Sequence, residues 1–236
     1  MHPTTPRIKI CCMASRAEAE LAITSGADAI GLVSAMPSGP GPIPEPLIAE
    51  IASAVRGRIP AFLLTSHLDA TAVIAQVRRT GVTTVQICDR LAVGTPRDVR
   101  QALPDIEIVQ VVHVANEWSV DEALDVAQDV DALLLDSGRP DRPVKELGGT
   151  GRTHDWSLSR RIRDQAGVPV WLAGGLNAAN VPDALRAVDP FGLDVCSGVR
   201  TSGRLDEAKL AAFVRAARGG APAAGAPEPG TAPRRS

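Results

Sequence analysis

The chain has 236 residues, 44% of them hydrophobic and 22% charged, with a net charge of −2 and an aromatic share of only 3%. Its length suits one α/β barrel of roughly 250 residues better than two full domains. The balanced charge and the absence of Tyr exclude a general nucleic-acid binder, which needs a basic footprint and aromatic platforms for bases.

Short apolar runs alternate with amphipathic stretches along the chain. Strands are expected at 8–13, Ala29–Val33, 61–64, Thr84–Ile87, 106–114, Ala132–Asp136, 168–173 and 192–196. Helices are expected at 17–25, 46–55, Ala70–Thr80, 97–102, 121–128, 157–165, Val181–Val188 and 206–217. Apolar runs of four to eight residues bounded by Gly, Pro or Asp read as buried parallel strands, and the helices supply the crossovers that parallel pairing requires. Eight βα units predict an α/β fold, a closed (β/α)8 TIM barrel of the phosphate-binding type over residues 1–218. An open doubly wound sheet would carry a glycine fingerprint after its first strand, and none is present. Residues 219–236, rich in Gly, Pro and Ala without an apolar period, are expected to form a disordered tail. No run approaches the roughly 18 apolar residues of a membrane span, and the opening MHPTTPR lacks the apolar core of a signal peptide. A cytoplasmic protein with no membrane partner is the expectation. The four cysteines, 11, 12, 88 and 196, have no CxxC spacing, so free thiols and no metal site are expected.

In such a barrel the chemistry sits at the C-terminal tips of the strands. Alternation on the first strand sends Lys9 and Cys11 inward and Ile8, Ile10 and Cys12 toward the helices. Cys11 reads either as a base whose thiol is activated by a nearby cation or as a small apolar core residue. Asp136, ending an apolar strand, reads either as a general acid with a raised pKa or as a turn ligand. Strands 1 and 6 are three apart around the ring, which sets this pair across the mouth from each other. Three glycine-rich turns follow strands 6, 7 and 8, and place Gly149, Gly151, Gly174, Gly175, Ser197 and Gly198 where backbone N–H groups bind a phosphate. Lys9, Asp194, His113 and Arg200 are further candidates for substrate contact; of these, Asp194 is expected to order the phosphate loop, and His113 also reads as a core histidine. His154 and Trp156 are expected to anchor the sixth loop, and Trp118 and Trp171 to lie in a core or interface.

Seven stretches resemble the phosphoribosylanthranilate isomerases of tryptophan biosynthesis: KIC at 9–11, GADAIGLV at 26–33, VQ at 85–86, LLLDS at 133–137, GGTGRTHDW at 148–156, LAGGLNAANV at 172–181 and DVCSGV at 194–199. The resemblance spans about residues 7–217. It implies an Amadori rearrangement of an N-aryl aminoaldose phosphate without metal or organic cofactor, Cys11 taking the proton from sugar C2 and Asp136 protonating the ring oxygen. It implies a small phosphosugar as the partner and a monomer or homodimer. Three departures from the family's pattern stand out. The loop Ser34–Pro42 lacks the arginine that the family uses to hold the anthranilate carboxylate, the family's histidine after strand 4 is replaced in Gln86–Asp89, and Cys12 replaces a glycine. Arg200, where the family commonly has an acidic residue, is the expected replacement cation. A divergent isomerase of another aminosugar phosphate and a non-catalytic phosphometabolite-binding barrel are the two alternative expectations.

Overall fold

The computed structural model describes residues 5–138 and 153–220. Parallel strands buried on both faces need covering helices, and the chain supplies them in strict alternation. The strands are β1 Arg7–Ile10, β2 Ala29–Val33, β3 Ala61–Thr65, β4 Thr84–Ile87, β5 Glu107–His113, β6 Ala132–Asp136, β7 Val170–Leu172 and β8 Gly192–Val195. The helices are α1 Arg16–Thr24, α2 Glu45–Val55, α3 Ala70–Thr80, α4 Pro96–Ala102, α5 Trp118–Val126, α6 Trp156–Gln165, α7 Val181–Val188 and α8 Glu207–Ala217. Hydrogen bonding runs β1 through β8 in sequence order and closes where Lys9 pairs with Asp194. The closed eight-stranded barrel matches the expected fold class. The expected terminal tail lies outside the described residues beyond Gly220.

Two layers of apolar packing result. A large outer layer joins strands to helices, including Ile8, Ile10, Ile30, Leu63, Val85, Leu133 and Phe213. A smaller inner layer fills the barrel with Phe62, Val109, Val111, Leu134, Trp171 and the sulfurs of Cys11, Cys12 and Cys88. Trp171 lies edge-on to Phe62 with ring centroids 5.6 Å apart, closing the barrel interior. Trp118, by contrast, is 77% exposed and lies outside the core, whereas Trp171 lies within it.

Local chemistry sets several boundaries. Ser15 caps α1 by accepting from the Glu18 N–H at 3.2 Å, and Asp69 caps α3 by accepting from Thr71 at 2.7 Å. β1 stops at Ile10, short of the expected 13, because Cys12 adopts a left-handed backbone with φ +66°. The Cys11 N–H still donates to the Val195 carbonyl at 2.8 Å, so the thiol-bearing residue continues the β1–β8 ladder. After β8 comes a single 3-10 turn, Ser197–Val199, and then a hairpin of two short strands, β9 Arg200–Thr201 and β10 Arg204–Leu205.

Candidate active site

At the C-terminal mouth of the barrel lies a pocket with about 690 Å³ of empty space, counting its opening to solvent. Cys11 and Asp136 both line it, as do Gln86, Cys88 and Asp194. Gly174, Gly175 and Leu176 from the seventh loop and Cys196 and Ser197 from the eighth form one rim, and Met36, Ser38, Gly39 and Pro40 from the second loop form another. The strands thus bring together the thiol, the carboxyl and two of the three glycine turns. Gly149 and Gly151 lie outside the described residues.

Cys11 is 5% exposed. Its sulfur occupies space that only a glycine leaves open, since a Cβ on Gly31 of β2 would come within 2.8 Å of it. Beneath it, Lys9 is completely buried, its Nζ donating to Gln86 Oε1 at 2.9 Å and paired with Asp194 Oδ2 at 3.0 Å. Phe62 adds its ring face 5.1 Å from the ammonium. Burial alone would depress Lys9, but the Asp194 carboxylate and the neighbouring Cys11 thiol outweigh it and hold the ammonium charged. Inward orientation of Lys9 agrees with strand alternation, and Lys9 is not among the residues lining the pocket. Cys88, on the pocket wall, is kept protonated by burial.

Asp136 ends β6 opposite His113 of β5, and its Oδ1 accepts from the Ser137 N–H at 2.7 Å. Burial pushes its carboxyl above the ordinary carboxylate range, and the Ser137 N–H together with the charges of His113 and Lys9 opposes this only in part. His113 itself contacts the Cys88 carbonyl through Nε2 at 3.1 Å and stands outside the pocket lining. His154 contacts Ser159 Oγ at 2.6 Å at the start of α6, the anchoring position expected of it. Burial lowers its pKa to about 4.

On the opposite rim, Gly174 and Gly175 both have positive φ, +85° and +62°, which turns the chain sharply after β7. Gly198 is not part of the lining but makes the rim possible. A Cβ there would stand 2.0 Å from the Leu176 carbonyl oxygen, so only glycine lets the eighth loop pack against the seventh. Asp194 Oδ1 is buried with no hydrogen-bond partner among the described residues, leaving one carboxylate oxygen on the pocket wall.

Two expectations are corrected. Cys12 does not face the helices: its left-handed backbone rotates the side chain to the mouth, where it lines the pocket with its sulfur 2.8 Å from that of Cys196. Arg200 is not a pocket cation. Its guanidinium donates to Glu18 at 3.1 Å and to the carbonyls of Cys11 and Cys12, and its side chain is 7% exposed. Glu18 also accepts from the Ala14 and Leu205 N–H groups, so it ties the first loop to the β9–β10 hairpin. Sequence reasoning passed over Glu18, although the Ser15-x-x-Glu18 spacing of a capping box marks it. It also passed over Gln86 and Cys196 as pocket residues. Among the described residues, the pocket lining contains no Arg or Lys, and no cluster of three His, Cys, Asp or Glu side chains has a metal-holding arrangement.

A parallel eight-stranded barrel with a thiol, a buried carboxyl and two main-chain turns converging on its C-terminal mouth has the layout of a (β/α)8-barrel enzyme. Residues 8–216 match the family described as N-(5'phosphoribosyl)anthranilate (PRA) isomerase. The chain belongs to this family. The N-(5'-phosphoribosyl)anthranilate isomerase of Halobacterium salinarum is 37% identical over 213 residues, which cover 88% of this chain and 94% of that protein. The phosphoribosyl anthranilate isomerase of Thermotoga maritima has a similar fold, with a TM-score of 0.75 at 28% identity over 91% of this chain and 99% of that one. A phosphoribosyl anthranilate isomerase in complex with reduced 1-(o-carboxyphenylamino)-1-deoxyribulose 5-phosphate matches at a TM-score of 0.72 and 26% identity, covering 91% and 99% of the two chains.

Proposed function

We propose that this chain isomerises N-(5'-phosphoribosyl)anthranilate to 1-(o-carboxyphenylamino)-1-deoxyribulose 5-phosphate, with Cys11 as general base and Asp136 as general acid. The observation that carries the proposal is that Cys11 and the buried Asp136 carboxyl line one pocket, with the rim of loops seven and eight bordering the same space. Asp136, its carboxyl held above the ordinary carboxylate range by burial, gives its proton to the furanose ring oxygen. The ring C1–O bond breaks as the anilino nitrogen lone pair forms the C1=N bond of a Schiff base. The Cys11 thiolate, with the Lys9 ammonium beneath it, takes the C2 proton and leaves an enolamine. Protonation at C1 and loss of the O2 proton then deliver the ketose. Each proton transfer of this kind contributes about 10²–10⁴-fold.

The phosphate belongs on the opposite rim, against the main-chain N–H groups of Gly174, Gly175, Ser197 and Gly198, with Gly149 and Gly151 as the contribution of the sixth loop. Asp194, with one oxygen engaged by Lys9, presents the other to a sugar hydroxyl. The aryl end lies between Val33, Met36, Pro40 and Leu64.

One observation favours a second reading, an isomerase of a different aminosugar phosphate: no described lining residue carries the positive charge that an aryl carboxylate would pair with. A fluorescence assay of anthranilate-linked substrate, with the product identified by mass, separates the two. Conversion of phosphoribosylanthranilate supports the first reading, and binding of phosphosugar without conversion rejects it.

A further inference from the structure

All four cysteines line the pocket at the barrel mouth although the proposed reaction uses only one. Cys12 and Cys196 come from the loops after β1 and β8, 184 residues apart in sequence, and their sulfurs are 2.8 Å apart. Both are free thiols, and both line the pocket. A disulfide requires sulfurs at about 2.05 Å, so closure needs about 0.8 Å of movement. Cys12 is held in place for it. Its left-handed backbone aims the side chain at the mouth, its carbonyl is bound by Arg200, and a Cβ on Gly41 would stand only 2.6 Å from its own Cβ. Cys196 is the more accessible of the two, partly exposed where Cys12 is buried.

We propose that Cys12 and Cys196 are a reversible oxidation site that a low-molecular-weight disulfide converts to an intramolecular disulfide, clamping the first loop to the eighth across the mouth of the pocket. The Cys196 thiolate attacks one sulfur of the small disulfide, forming a mixed disulfide and expelling a small thiolate. The Cys12 thiolate then attacks the Cys196 sulfur and expels the second. Two protein thiols lose two electrons and two protons, and the small disulfide accepts both pairs as two thiols. The Cys12 contact and the Arg200 charge together hold the Cys196 thiol below its ordinary range against the effect of burial. Contacts with Cys11 and Cys196, added to burial, hold Cys12 above its own. Cys196 is therefore the entering nucleophile and Cys12 the resolving thiol. Cys88, on the pocket wall but buried and kept protonated, is no partner in the pair and takes no part.

The crosslink ties Cys11's neighbour to Ser197's neighbour, the two sides of the pocket that a phosphosugar must pass between. Loss of turnover on oxidation rests on the function proposed above; formation of the disulfide does not. The full chain is incubated with oxidised glutathione, denatured, and its thiols counted. A fall from four free thiols to two is expected, with the tryptic peptide Ile10–Arg16 joined to Ala187–Arg200. Cys11→Ser should still crosslink, whereas Cys12→Ser and Cys196→Ser should not. Four remaining thiols in the wild type, a stable mixed disulfide with glutathione alone, or loss of the crosslink in Cys11→Ser would overturn the assignment. In parallel, turnover of phosphoribosylanthranilate should fall at least about tenfold and return on addition of dithiothreitol. A crosslink with unchanged turnover refutes the clamp, and a crosslink in a protein inactive even when reduced refutes the proposed function instead.

Discussion

The Lys9–Asp194 pair is the part of the site whose removal has the most calculable consequence. Asp194→Asn keeps the shape of the side chain and deletes its charge, leaving the Lys9 ammonium at 0% exposure with Gln86 Oε1 at 2.9 Å and the Phe62 face at 5.1 Å as its remaining partners. Breaking a buried pair by removing one member costs about 3–5 kcal/mol. The retained hydrogen bond and ring contact argue for the lower end, near 3 kcal/mol. For a chain of this size that is about 6–12 °C in Tm. Urea unfolding of wild type, Asp194→Asn, Lys9→Met and the double variant Lys9→Met/Asp194→Asn measures it, and the double variant should recover much of the loss because both charges are gone. The Lys9 pKa is raised in the folded state, so the pair's contribution is complete below the unfolded value of about 10.4 and is lost only as pH rises through the folded one. The difference between wild type and Asp194→Asn should therefore stay flat from pH 6 to 9. A loss under about 0.5 kcal/mol, or single effects that simply add in the double variant, would refute the reasoning.

Gly198→Ala drives a Cβ to 2.0 Å from the Leu176 carbonyl oxygen, and both neighbours are backbone, so loops seven and eight must separate. KM for the phosphosugar should rise at least about tenfold with the fold intact by circular dichroism, and an unchanged KM would remove the rim from phosphate binding. Asp136→Asn should abolish turnover yet raise Tm at pH 7. The folded-state pKa of Asp136 is raised, so the folded wild type loses stability as pH climbs past the ordinary carboxylate value near 3.9. The gap in Tm should shrink toward pH 4, and a gap independent of pH would contradict the burial argument. With no cation among the described lining residues, a substrate lacking the aryl carboxylate should have a KM within about threefold of the carboxylated one. A bidentate arginine contact, worth about 1.5–3 kcal/mol, would instead discriminate by about tenfold or more.

Much of this architecture was legible because its strands are buried on both faces and sharply bounded. Ala29–Val33, Thr84–Ile87 and Ala132–Asp136 occur residue for residue where their apolar runs stand. The pocket position of Cys11 and Asp136 follows from strand alternation and ring order, and these are properties of the fold rather than of the side chains. What escaped depends on backbone departures and long-range partners. Alternation fails at Cys12 because a left-handed residue resets the direction of its side chain, and no periodicity announces that. Arg200 read as a free cation because its partner, Glu18, stands 182 residues away on α1. The β9–β10 hairpin has two residues per strand, too few for an alternating pattern to register. Asn116 Oδ1 accepts from the Trp118 N–H at 3.0 Å, which starts α5 three residues before the expected 121 and leaves Trp118 exposed.

The proposed chemistry depends on a thiol and a protonated carboxyl working on one substrate, and paired measurements of kcat and of affinity for the reduced product analogue in Cys11→Ala and Asp136→Ala test it most directly. The account predicts that each variant loses at least about 100-fold in kcat while its Kd for the analogue stays within about threefold of wild type. A kcat within tenfold of wild type in either variant would contradict it.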